Sequence, residues 1–117
     1  MPVTLPSVRQ HFTGRAPNVS ATYRALLTAA RRLGPVEEEP KKTSIHLVRN
    51  TAFAGVATQK AALLLTLKAS KDIKSRRISR HERASANRWH LIVRLTAPDE
   101  VDAELRGWLE AAYELAE

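Results

Sequence analysis

Residues 41–56 read KKTSIHLVRNTAFAGV, and here the period of the chain changes. Upstream, apolar residues recur at helical spacing. From Thr43 they alternate: Thr43, Ile45 and Leu47 fall on one side, and Ser44, His46 and Val48 on the other. A period of two is what an extended strand imposes. Arg49-Asn50 supplies a tight turn, because Asn tolerates the left-handed conformation, and residues 52–57 return as a second strand. The preceding EEEP, residues 37–40, is a lead-in after a helix stop. A hairpin of this kind opens an antiparallel sheet and sets His46 on the face away from Ile45 and Leu47.

Downstream the same period continues. In residues 62–68, Leu63, Leu65 and Leu67 share a face opposite Leu64, Thr66 and Lys68. Residues 69–77, ASKDIKSRR, form a basic connection, and residues 78–84 a charged, exposed strand. Ala86-Asn87 is a turn. Residues 88–95 alternate cleanly, with Trp89, Leu91, Val93 and Leu95 against Arg88, His90, Ile92 and Arg94.

Helices flank these strands. Asn18 or Ser20 is positioned to cap a helix running to about Leu33, whose apolar residues are Tyr23, Leu26, Leu27, Ala30 and Leu33. Gly34 and Pro35 stop it. Residues 1–17 are an N-terminal arm or a short helix. Pro98-Asp99 starts a final helix, with Asp99, Glu100 and Asp102 at the positive end of its dipole. Its stripe is Val101, Leu105, Trp108, Leu109, Ala112 and Leu115. The expectation is one α+β domain over residues 1–117: an antiparallel meander of about five strands, with the N-terminal and C-terminal helices packed on one face.

Composition limits what such a domain does. The absence of cysteine excludes disulfides and thiolate metal sites and fits a reducing cytoplasm. No apolar run is long enough for a membrane helix, and the start carries no signal-peptide pattern. Thirteen Arg against six Lys, with abundant Ala, is a bias common in GC-rich bacterial genomes. Charge is uneven along the chain. Residues 41–94 carry thirteen Lys or Arg against two acids, while residues 95–117 carry one Arg against seven acids. Such polarity suits a polyanion or a second copy of the chain.

PKKTSIHL with AFAGV, then LLLTLK, RWHLIVRL and the terminal WLEAAY, resemble a bacterial family known as a domain of unknown function. The resemblance covers the chain from Asn18 onward. It implies a compact α+β domain that occurs alone or appended to other proteins. More loosely, the order of elements is similar to small domains of the CyaY-like or YjbR-like type. Neither likeness brings known catalytic or binding residues with it.

The candidate sites follow from the residues. No HxH, HxxxH or HExxH spacing joins His11, His46, His81 and His90, so no metal site and no cofactor is expected. Ser44 lacks the Gly-flanked turn of a hydrolase nucleophile, which favours a binding protein over an enzyme. Ser44, His46, Phe53, His90 and Arg94 fall on the open sheet face as a candidate ligand site. Lys71, Lys74, Arg76, Arg77, Arg80, Arg83 and Arg88 form a candidate basic patch for nucleic acid, with Phe53 as a stacking ring. The small residues Ala52, Ala54, Gly55 and Ala57 allow close approach of a ligand or a backbone. The leading expectation is a cytoplasmic module that binds nucleic acid or another anionic, phosphate-bearing ligand through a basic sheet surface. Two alternatives stand beside it: a protein-interaction or homodimerisation domain, and a small enzyme or ligand receptor with a pocket around His46 and His90.

Overall fold

The computed structural model describes residues 7–117. Of the expected N-terminal arm, residues 1–6 lie outside this part, and Arg9–Phe12 forms one 3-10 turn. The main elements are α1 (Pro17–Arg31), β1 (Glu37–Pro40), β2 (Ile45–Val48), β3 (Ala52–Thr58), β4 (Leu63–Ala69), β5 (Ile78–Ser85), β6 (Arg88–Leu95) and α2 (Ala103–Leu115). A second 3-10 turn, Pro98–Glu100, precedes α2. The fold is α+β: one antiparallel sheet with α1 and α2 packed on the same face over a shared core.

Among the described residues the sheet has six strands where about five were expected, because EEEP pairs with β2. Glu38 stands opposite Leu47, and Glu39 opposite His46. Lys41 N–H donates to the Ser44 carbonyl at 2.7 Å and closes that hairpin. The strand alternation splits the acidic triad. Glu38 turns to the helix side, where its carboxylate accepts the Tyr23 hydroxyl at 2.5 Å and lies 3.5 Å from Arg31. Burial, then the bond to Glu38, pushes the Tyr23 phenol well above its ordinary pKa.

Nor is the sheet a simple meander. Its order is β1-β2-β3-β4-β6-β5, so the chain steps from β4 out to the edge and returns between. Side-chain polarity accounts for this. Leu91, Val93 and Leu95 of β6 are each 1% exposed, whereas β5 buries only Ile78. The more apolar strand takes the interior position, where its side chains leave water.

Helix starts differ from the expected caps. Pro17 occupies the first turn of α1, where its missing N–H costs nothing. Asn18 does not cap. Its Nδ2 donates to the carbonyls of Ala61 (3.0 Å) and Thr96 (2.6 Å), tying α1 to the loop before β4 and the end of β6. Ser20 Oγ bonds its own helix at the Pro17 carbonyl. At α2 the cap is Asp102, which accepts Leu105 N–H at 3.0 Å. Asp99 and Glu100 belong to the preceding 3-10 turn. Trp108 and Leu115 are half-buried at the margin, and Tyr113 and Ala116 take the interior places with Leu105, Leu109 and Ala112.

Among the described residues, no helix is long and apolar enough to cross a membrane. No buried side-chain nitrogen or oxygen there lacks a hydrogen-bond partner.

Candidate ligand site on the open sheet face

The face away from the helices carries the side chains of alternate strand positions. One row across the sheet runs Glu39, His46, Gly55, Thr66 and Ile92, each the Cα partner of the next. A neighbouring row pairs Lys68 with His90. Between these rows lies a hollow of about 320 Å³, lined by Ser44, His46, Gly55, Thr66, Lys68 and His90 together with small residues of β3. The hollow exists because β3 offers Ala52, Gly55 and Ala57 to this face, while β2 and β4 on either side carry longer side chains.

Gly55 is the informative position. Its backbone is not in the left-handed region, so no turn demands glycine. A Cβ added there would meet His46 Cδ2 and Thr66 Cβ at 3.9 Å, ordinary van der Waals contact. Neither conformation nor packing requires glycine, and its effect is to leave the floor of the hollow open. Among the described residues, no acidic side chain lines this hollow. Its polar groups are one ammonium, two imidazoles and the hydroxyls of Ser44 and Thr66. This is a donor-rich wall over an apolar floor.

The sequence-derived candidates divide. Ser44, His46 and His90 line the hollow. His46 and His90 stand on β2 and β6, strands about 14 Å apart at the usual spacing with β3 and β4 between them, and in neighbouring rows. They flank one ligand-sized space but do not meet, so no single proton or metal ion bridges them directly. Arg94 is exposed on the same face, opposite Leu64 and outside the lining. Thr66 and Lys68 were absent from the candidates, although the alternation of LLLTLK already points both to this face.

Phe53 is a correction. It is fully buried on the helix side, edge-on to Tyr113 at 5.2 Å between ring centroids. The register explains the reversal. Leu47 pairs with Ala54, but Val48 pairs with Ala52, so β3 holds one extra residue at Phe53. Such a bulge breaks strict alternation and turns Phe53 inward beside Ala54.

The candidate basic patch does not gather on one face. Arg77 turns in toward α2: its guanidinium donates to Asp102 (2.8 Å), to Glu104 (3.2 Å) and to the Glu100 carbonyl (2.6 Å). Hydrogen bonding to Asp102 raises the Arg77 pKa further, and the Leu105 amide and then Arg77 hold the Asp102 carboxyl below its ordinary range. Arg83 lies on the helix side over Trp89 and donates to the Ser85 and Ala86 carbonyls. Arg80 pairs with Glu82 on the open side. Lys71 flanks a separate groove beside α2, while Lys74 and Arg76 are exposed in the connection before β5. Arg88 sits at the β5–β6 turn.

Helices on one face of an antiparallel sheet and a donor-lined hollow on the other define a small α+β domain with an open sheet surface. The chain belongs to the family described as a domain of unknown function, DUF5655, whose model matches residues 8–116. No curated protein and no solved structure matches it.

Proposed function

We propose that the chain is a binding module that holds a small anionic ligand, bearing a carboxylate or phosphate, in the hollow of the open sheet face. The observation that carries this proposal is Gly55, a glycine in an interior strand that neither its backbone nor its neighbours require and that leaves the floor of the hollow open. Lys68, His46 and His90 supply donors for the anionic group, and Ser44 and Thr66 add hydroxyls. The small residues of β3 form the floor for an apolar body. A volume near 320 Å³ sits at the lower end of small-molecule sites. Arg94 is positioned to meet a ligand that extends past Ile92.

Nucleic acid is the polymer form of the same proposal. It has less support, because Phe53 faces the core and the cations are divided between the two faces. NMR titration distinguishes the two forms. The probes are inorganic phosphate, a nucleoside monophosphate, an aromatic carboxylate and a single-stranded oligonucleotide, each added to the chain and to Gly55→Val. Small-anion binding shifts the amides of Gly55, Thr66 and Lys68, and Gly55→Val abolishes the shifts. If none of the four probes shifts these amides, the proposal fails.

A further inference from the structure

β5 is an edge strand, and among the described residues no strand pairs with its outer side. The opposite edge, β1, is blunted in the usual way by being short and ending in a proline, Pro40. β5 has neither device. It is eight residues long and exposed from Ser79 to Ser85. Its pairing with β6 is irregular at Ile78/Arg80 and at Arg83/Ser85, which leaves residues 80–83 as a regular segment with an unused outer row. Arg80 and Glu82 face the open side, with side chains 71% and 45% exposed. His81 faces the helix side and is hydrogen-bonded to Asp72 at 2.5 Å.

We propose that two copies of the chain associate by antiparallel pairing of β5 with β5, about a two-fold axis at His81. An axis perpendicular to the sheet keeps both open faces on one side and makes one continuous sheet. In this register Arg80 stands opposite the partner's Glu82, and Glu82 opposite the partner's Arg80. Both cross-strand pairs are of opposite charge. Moving the axis by one residue to either side sets Arg80 against the partner's Arg80, or Glu82 against the partner's Glu82. The charges that guard this edge against other strands therefore favour this register with itself over either neighbouring one. At the axis the two imidazoles meet on the helix side, each backed by its own Asp72 carboxylate.

Charge exchange tests this directly, read by sedimentation velocity over a wide concentration range. The wild-type chain dimerises. R80E and E82R each place like charges across the axis and weaken association about tenfold or more. Both positions are exposed, so the variants stay folded, which circular dichroism verifies. The double variant R80E/E82R restores the dimer, and an equimolar mixture of the two single variants forms a mixed dimer. A wild-type chain that stays monomeric throughout overturns the proposal. So does a dimer that neither single variant weakens, or single variants that fail to associate when mixed.

Discussion

Two glycines make opposite demands. Gly34 has φ +152°, where side chains are strained, and a Cβ there would strike the Tyr113 hydroxyl. That hydroxyl donates to the Pro35 carbonyl at 3.1 Å, so the helix stop and α2 are locked together. Gly34→Ala should cost more than about 1 kcal/mol. Tyr113→Phe should cost about 0.5–1.5 kcal/mol through the lost hydrogen bond. In the double variant the two losses should sum to less than additive, since Phe removes the atom that clashes, and denaturant melts of the four proteins measure this. Gly55→Ala should instead stabilise by about 0.5–1 kcal/mol, the strand cost of glycine, while weakening any ligand in the hollow. A thermal melt showing a loss of stability would mean that packing needs Gly55 after all. At this scale the sequence was legible where alternation held: it placed Ser44, His46 and His90 on the open face correctly. It failed at Phe53, because a bulge is an extra residue in the pairing and leaves no mark in the hydrophobic pattern of β3 alone.

Elements are held by polar ties that the pattern of apolar residues does not announce. Asn18 joins three segments through two carbonyls. Asn18→Ala leaves both without that donor and should destabilise by about 1–3 kcal/mol, seen as an earlier denaturant midpoint. The turn before α2 depends on Glu100, whose Oε1 accepts the Thr96 amide (2.6 Å), the Thr96 hydroxyl (2.8 Å) and the Ala97 amide (3.0 Å). The Thr96 amide foremost, with Arg77 adding attraction, lowers the Glu100 pKa in the fold. A lowered carboxylate contributes stability that is present above its ordinary pKa of about 4.5 and lost as pH falls through the folded value. Glu100→Gln should therefore be less stable than wild type near pH 7, and the gap should narrow as pH falls below about 4.5 and close below the folded value. Parallel unfolding curves across that range would show that Glu100 acts only as a neutral acceptor. Five strands were readable to within about two residues, whereas β1 was read as a lead-in. Strand order was not readable, because the exchange of β5 and β6 follows from which of two neighbours buries more surface, a comparison made only in three dimensions.

Across the whole molecule, the charge asymmetry of the chain closes on itself in part. The basic middle segment meets the acidic C-terminal segment through Arg77 with Asp102 and Glu104, and Lys71 and Glu114 flank the same groove. A run of cations in sequence thus overstated the basic surface, since α2 neutralises part of it once folded. The open face carries Lys68 beside the hollow, with Arg88, Arg94 and the Glu82-paired Arg80 farther out on β5 and β6. This distribution makes salt dependence decisive. An anion held in the hollow engages Lys68 and imidazole donors but brings no condensed counterions, so log K should fall only shallowly with salt, through screening. A single-stranded polymer engaging all four cations would release about four counterions' worth of charge, for a slope near −3. Titrations from about 20 to 300 mM salt span enough of the screening range to separate the two. Lys68→Ala sharpens the result. It should remove most small-anion affinity, whereas it should lower a polymer's slope by only about 0.7. A steep slope that survives Lys68→Ala would move the ligand from the hollow to the outer strands, and with it the function from small-anion recognition to polyanion binding.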